Sequence, residues 1–129
     1  MKRHPSCGDI RQARMQDYQW HALYNGIFII WAIGYLMREE LVAFLRRAKS
    51  RLMPGSAVVT RRSVPESFIF ILDNVFDYTV TAEMLNGQML RTRQELESIF
   101  KEANLAIHQV SEPYSMPESR MDVQIWALY

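Results

Sequence analysis

A strand, an amphipathic helix and a second strand follow one another in the first half of this chain. Residues 26–32 are continuously apolar, which is typical of a strand covered on both faces. Residues 38–52 carry apolar side chains at helical spacing, with cations near the end, where the helix dipole is negative. Pro54-Gly55 ends this helix, and Ala57-Val58-Val59 predicts the second strand. This order is the repeating unit of open parallel sheets, so it predicts an α/β fold.

The second half of the chain contains further strands and one well-marked helix. Residues 68–72 and 75–81 flank Asp73-Asn74, which predicts a hairpin with its turn at that pair. Thr92-Arg93-Gln94-Glu95 is a capping box, and apolar residues follow it at helical spacing. Residues 105–110 and 123–128 predict two more strands. Because no helical pattern joins them, we expect an antiparallel pair.

Composition indicates one globular domain with nearly balanced charge. The 129 residues are 49% hydrophobic and carry a net charge of +1, which gives no general attraction to nucleic acid or membrane. Residues 27–37 are too few to span a bilayer, which needs about 20 residues. Residues 1–15 are polar and predict a flexible arm ahead of a domain of residues 16–129.

The cysteine content and the polar first residues of the sequence favour an intracellular protein. The single cysteine, Cys7, cannot form an internal disulfide, and no apolar signal core follows the first residues. We expect the cytoplasm or nucleus, with the mitochondrion as the alternative because residues 2–14 hold four cations against one acid. His21 and His108 have no partner at ligand spacing, so no metal site is expected.

The strand-helix segment resembles the second half of the α-N-terminal protein methyltransferases. Residues 31–36 (W-A-I-G-Y-L) are similar to the family's W-x-I-G-H-L, and residues 44–49 (F-L-R-R-A-K) to its F-L-R-R-C/A-K. Residues 15–18 (M-Q-D-Y) and 126–128 (W-A-L) are similar to its L-Q-D-F and F-A-L. The resemblance implies a partial Rossmann-like methyltransferase sheet, mostly parallel, with an antiparallel C-terminal strand pair and an inserted hairpin. It also implies methyl transfer from S-adenosylmethionine to the α-amino group of a protein N-terminus.

The resemblance assigns roles to eight positions. Those matching cofactor contacts are Met15, Gln16 and Ile30, and those matching the channel for the substrate N-terminal peptide are Trp31 and Glu83. The family's catalytic His, Asn (in K-D/E-N) and Asp (in D-S-S) fall on Tyr35, Arg62 and Asn86. A second register, which aligns residues 71–75 with the family's I-L-D-D-V, would replace Asn86 by Asp77.

The three substitutions remove the chemistry that the reaction needs. An α-amino group must lose a proton before it attacks the methyl group, yet Tyr35 is a weak base at neutral pH. Arg62 cannot accept a proton and Asn86 is no base. The sequence also contains no G-x-G-x-G loop for the cofactor. We therefore expect this chain alone to be inactive and not to bind S-adenosylmethionine, with the first strands absent and an apolar face exposed.

Two other interpretations remain open. The chain could be a non-catalytic, methyltransferase-like module whose open sheet edge is covered by a protein partner, in a larger protein or RNA complex. RNA would bind to a run of cations that has no acidic residues within it. Most of these cations are equally well explained as the solvent-exposed end of a helix. That run consists of Arg46, Arg47, Lys49, Arg51, Arg61 and Arg62. Alternatively, the sequence is truncated or alternatively spliced, and the other half exists in another form.

Overall fold

The structure is a computed structural model that describes residues 8–54, 65–76, 87–115 and 122–129. Its elements are β1 (Gly26–Ile30), α1 (Arg38–Ser50), β2 (Phe68–Val75), α2 (Arg93–Glu102), β3 (Ile107–Val110), β4 (Tyr114–Ser115) and β5 (Asp122–Leu128). Two 3₁₀ turns lie at Met15–Asp17 and Ile33–Tyr35. Several predictions fall outside the described residues: the strand at residues 57–59, most of the second hairpin arm, and positions Arg61, Arg62, Asp77, Glu83 and Asn86.

The strands form one mixed sheet in the order β1-β2-β5-β3, and β4 also pairs with β5. β1 and β2 are parallel, with Gly26 opposite Phe68 and Ile30 opposite Leu72. β5 is antiparallel to β2, β3 and β4. The α/β class and the antiparallel pairing of residues 105–110 with 123–128 are therefore confirmed, and α1 is the crossover between the two parallel strands.

Both helices cover the same face of the sheet. β1 alternates exposed and buried residues, and its buried side chains, Ile27 and Ile29, join those of the neighbouring strands beneath α1 and α2. Trp126, at the centre of β5, is fully buried and packs edge-to-face on Phe100 of α2 with ring centroids 5.5 Å apart. Arg38 of α1 forms ion pairs with two glutamates of α2 and so ties the two helices together.

The opposite face of the sheet is apolar and uncovered by the described residues. We call this surface the open face; it consists of Phe28, Ile30, Phe68, Phe70, Leu72 and Ile125. Phe28 is 69% exposed and Ile30 55% exposed, and the Phe28 ring stacks on that of Phe70 at 4.7 Å. Within the described ranges β1 pairs only with β2, so its other edge is also open. Among the described residues, the sheet therefore has an open edge and an apolar face.

The hairpin turn predicted at Asp73-Asn74 is wrong, because both residues lie within β2. They pair with Gln124 and Val123 of β5 in a regular antiparallel register. Turn propensity is a local preference, and here pairing with a strand 50 residues later in the chain overrides it. The first strand also ends earlier than predicted, at Ile30, because Trp31 adopts a positive φ of 49°.

The predicted cap of α2 is confirmed at Thr92. Its hydroxyl oxygen accepts a hydrogen bond of 3.1 Å from the backbone N–H of Glu95, which would otherwise lack an intrahelical partner. We expect Thr92→Ala to lower the free energy of unfolding by about 0.5–2 kcal/mol, measured by urea denaturation. Thr92→Ser retains the acceptor and is the control; an equal loss in both variants would rule out the cap as the cause.

Candidate substrate-binding edge

The carboxyl ends of β1 and β2 lie side by side and carry polar and aromatic residues. Trp31 directly follows β1, and its backbone N–H donates a 2.9 Å hydrogen bond to the carbonyl oxygen of Leu72. Asp73 and Asn74 follow Leu72 near the end of β2. Ligands of open α/β sheets bind at this edge, outside the carboxyl ends of parallel strands. The candidate site is therefore centred on Trp31 and Asn74.

Two buried charged side chains fix the turn that follows Trp31. Asp73 is 3% exposed; its carboxylate accepts hydrogen bonds from the backbone N–H groups of Asn74 (2.8 Å) and Ile33 (3.4 Å). Arg91 is 2% exposed and donates to the carbonyl oxygens of Ile33 (3.2 Å) and Leu36 (2.5 Å). These bonds hold the turn between β2 and the residues that lead into α2. They therefore fix the position of Trp31, which directly precedes the turn.

Gly34 allows the chain before α2 to lie against the same turn. The backbone N–H of Met89 donates to the Gly34 carbonyl oxygen at 2.6 Å. A Cβ atom at Gly34 would lie 2.9 Å from the Met89 carbonyl oxygen and 2.8 Å from the Gln88 side chain, which is closer than packing tolerates. Glycine is therefore required here by the close approach of two backbones.

Burial shifts the pKa of both charged groups away from their usual values. Desolvation raises the pKa of Asp73, although hydrogen bonds from Asn74, Ile33 and Ala32 and the charge of Arg91 oppose that shift. Desolvation likewise lowers the pKa of Arg91, while Glu95 and Asp73 act in the other direction. The two opposite charges therefore moderate the cost of burying each other.

The raised pKa of Asp73 predicts a specific dependence of stability on pH. The folded chain holds the Asp73 proton more tightly than the unfolded chain, whose pKa is near 3.8. Asp73 therefore destabilises the fold progressively as the pH rises from about that value through its folded pKa. We measure the free energy of unfolding by urea denaturation at a series of pH values. In this pH window it should fall more steeply for the native chain than for Asp73→Asn. A shallower fall in the native chain would contradict the raised pKa.

The structure brings three of the predicted site residues together. Ile30 ends β1 on the open face, Trp31 follows it with half of its side chain exposed, and Tyr35 lies exposed on the turn held by Asp73 and Arg91. Met15 and Gln16 lie apart from them in the sequence, in the 3₁₀ turn beside α1. The roles predicted for Arg62, Glu83 and Asn86 stay predictions, because these residues are not among those described.

Asn74 is a candidate site residue that the sequence interpretation did not include. The family's K-D/E-N motif ends the strand that follows its helix, and β2 is the strand that pairs parallel to β1 after α1. β2 contains Leu72-Asp73-Asn74, which matches two of the three motif positions. That match was the available signal, but the same pair was interpreted as a hairpin turn.

The residues described here do not fit S-adenosylmethionine by themselves. The carbonyl oxygen of Gln16, in the segment assigned to the adenine, accepts a hydrogen bond from Arg47 at 3.0 Å and so has only one lone pair left for a ligand. Ile30 occupies the position of a family glutamine and has no side-chain hydrogen-bonding group. The full sequence has five separate glycines and no G-x-G-x-G loop. A cofactor site would need further groups from another segment or chain.

Three of the described cations at the end of α1 bind main-chain oxygens. Arg46 donates to the carbonyl oxygen of Glu102 at 3.0 Å, and Lys49 contacts that of Asn104, so both satisfy groups at the end of α2. Arg47 holds the Met15–Asp17 turn through Gln16. These contacts give the cations structural roles, and RNA binding stays a prediction.

The described residues contain neither a metal-binding cluster nor a membrane-spanning helix. No group of three or more His, Cys, Asp and Glu side chains among them could hold a metal ion. None of the helices in this part of the chain has the length and apolar content needed to cross a membrane.

The fold and this edge define a Rossmann-like methyltransferase chain. A SAM-dependent methyltransferase from Leishmania major superposes with a TM-score of 0.72 over 91% of this chain and 43% of its own, at 20% identity. The family model for AdoMet-dependent proline di-methyltransferases matches residues 2–129, and the chain belongs to this family. The resemblance and the fold class expected from the sequence are confirmed.

Similar proteins carry N-terminal methyltransferase names. The chain is 30% identical over 115 residues to N-terminal Xaa-Pro-Lys N-methyltransferase 1 of Danio rerio, covering 88% of this chain and 47% of that protein. It is 26% identical over 105 residues to alpha N-terminal protein methyltransferase 1 of Arabidopsis thaliana, covering 81% and 34%. The chain thus spans about a third to a half of the length of these relatives.

Proposed function

We propose that this chain is the substrate-binding half of a SAM-dependent methyltransferase that acts on protein N-termini, and that it is inactive alone. The observation that supports this most is the edge at which Trp31 follows β1 and Asp73-Asn74 lie near the end of β2, similar to the family's motifs. The substrate class follows the Danio rerio relative, whose name specifies an N-terminal Xaa-Pro-Lys sequence.

Each residue of the edge has a role that its chemistry permits. Trp31 offers an exposed indole face against which the first residues of a peptide pack. The Asn74 side-chain oxygen accepts a hydrogen bond from the α-amino group and orients it. In this proposal Asn74 takes the role that the sequence assigned to Arg62, because Asn74 lies near the end of β2, the strand that pairs parallel to β1. Asp73 and Arg91 act only by positioning the turn.

The inactivity of the isolated chain has two physical causes. The family's histidine is replaced by Tyr35, whose side chain lacks the ring nitrogen with which histidine accepts a proton. The sequence also lacks the glycine-rich loop that binds the cofactor. S-adenosylmethionine would supply the methyl group only when bound to a more complete domain. The chain therefore contributes the binding and orientation of the amine.

NMR spectroscopy of the isolated chain tests the peptide site directly. A peptide beginning Ala-Pro-Lys should shift the Trp31 indole N–H and the Asn74 side-chain amide signals. The same peptide with an acetylated N-terminus is the control, since acetylation removes the charge of the α-amino group and leaves a single amide N–H in place of its donors. Asn74→Ala should abolish the difference between the two peptides. Equal shifts with both peptides, or no shift with either, would contradict the proposed site.

A non-catalytic binding module is the second candidate function. It is favoured by Tyr35 in place of histidine together with the exposed apolar open face. A domain completed with a cofactor-binding half separates the two candidates: if it binds cofactor and transfers methyl to the Ala-Pro-Lys peptide, the chain contributes to an enzyme. Cofactor binding without transfer would favour the module.

A further inference from the structure

A polar cleft of about 420 Å³ lies between residues 16–20 and the end of α1. Tyr24, just before β1, donates to the carbonyl oxygen of Arg51 at 2.7 Å and forms a parallel bridge with Leu52. These contacts place the end of α1 beside the start of β1, at the opposite end of that strand from Trp31. Cofactors of open α/β sheets bind outside the carboxyl ends of the strands, so this cleft is separate from the candidate substrate-binding edge.

Two donors that line the cleft have no described acceptor. Arg51 is partly buried, and its guanidinium forms no hydrogen bond or ion pair with any residue that the structure describes. The indole N–H of Trp20 is buried and likewise has no acceptor among the described residues. A buried donor without an acceptor costs about 1–3 kcal/mol, so the pair indicates a ligand that brings acceptors of its own.

The charge of the cleft is positive. Arg47 also lines it and is fixed there by its 3.0 Å hydrogen bond to the carbonyl oxygen of Gln16. Of the lining residues only Asp17 is acidic, and Arg14 pairs with its carboxylate at 2.5 Å. No described carboxylate forms an ion pair with the two lining guanidinium groups. Guanidinium groups bind phosphate oxygens through paired hydrogen bonds, which makes phosphate the matching ligand group.

The cleft suits a small molecule better than a nucleic acid strand. Its volume lies in the range of about 300–1,000 Å³ that is usual for small-molecule sites. A strand of RNA requires a longer cationic groove, whereas Arg46 and Lys49 of the same helix bind main-chain oxygens at the end of α2. The Trp20 ring packs on Phe44 of α1 with ring centroids 5.6 Å apart, so this wall is already held in position.

We propose that this cleft binds a phosphate-bearing small molecule. Arg51 and Arg47 contact the phosphate oxygens, and the indole N–H of Trp20 gains an acceptor from the ligand. The site goes beyond the proposed function, because it includes neither Trp31 nor Asn74 and does not depend on methyl transfer.

Isothermal titration of sodium pyrophosphate into the full chain, at constant ionic strength, tests this site. We expect saturable binding that Arg51→Gln weakens by about tenfold or more, because it removes charge-assisted hydrogen bonds to the phosphate. Arg46→Gln is the matched control: it makes the same charge change on the same helix, but Arg46 contacts Glu102 outside the cleft. This control should bind pyrophosphate nearly as the native chain does, and circular dichroism verifies that each variant is folded.

Two further measurements locate the ligand and identify its source. In NMR spectra pyrophosphate should shift the Trp20 indole N–H signal and leave that of Trp31 in place. ADP carries the same diphosphate group, so tighter binding of ADP than of pyrophosphate would assign the site to a nucleotide, and equal or weaker binding to a free polyphosphate. The proposal is overturned if neither compound binds at millimolar concentration, or if Arg51→Gln and Arg46→Gln weaken binding equally. It is also overturned if a single-stranded RNA binds these arginines and pyrophosphate does not compete with it.

Discussion

Replacing Arg91 by methionine is expected to lower the free energy of unfolding by about 3–5 kcal/mol. Methionine retains apolar bulk but loses the donors to Ile33 and Leu36, whose carbonyl oxygens are then buried without those partners. Asp73 also loses the positive charge that opposes its desolvation. A loss of this size is a large fraction of the stability of an ordinary domain, which is about 5–15 kcal/mol.

Urea denaturation followed by circular dichroism measures this effect. Arg93→Met is the control, because Arg93 lies two residues away and forms a partly exposed ion pair with Glu97 at 2.9 Å. Such a pair contributes roughly 0–1 kcal/mol, so the control should remain close to the native chain. Similar losses in both variants would show that Arg91 does not have the special role assigned to it.

Trp126→Ala is expected to lower the free energy of unfolding by about 3–5 kcal/mol, because it removes the largest fully buried side chain of the described sheet. Trp126 packs on Phe100, and its indole N–H donates to Glu97 at 3.4 Å. Trp126→Phe is the matched control, since the family's own F-A-L motif has phenylalanine at this position. We expect Trp126→Phe to lower the free energy of unfolding clearly less than Trp126→Ala does. An equal loss in both variants would mean that packing volume is not the dominant contribution of Trp126 to stability.

Local patterns in the sequence predicted the helices and most strands of the described fold. The apolar stripe of α1, with Leu41, Phe44, Leu45 and Ala48, is buried as its spacing predicts. The cap at Thr92 is correct because capping depends on four consecutive residues. These features depend on residues within one or two helical turns of each other, so they can be recognised directly from the sequence.

The candidate site depends on contacts between distant residues, which the sequence does not display. Asp73 is a turn-forming residue by its local preferences, yet it lies in a strand and binds Ile33, 40 residues earlier. Arg91 reaches Ile33 across 58 residues. Family motifs pointed to Trp31 and Tyr35 as candidates, whereas the motif match at Asn74 gained weight once β2 was seen to pair with β1.

Isothermal titration of S-adenosylmethionine and S-adenosylhomocysteine into the folded chain tests the central claim, that this is the substrate-binding half of a methyltransferase. We predict no binding at micromolar concentration by the chain alone, because Ile30 has no hydrogen-bonding side chain and the sequence lacks a glycine-rich loop. Binding of either compound with micromolar affinity to the chain alone would contradict that claim and indicate a self-sufficient cofactor site.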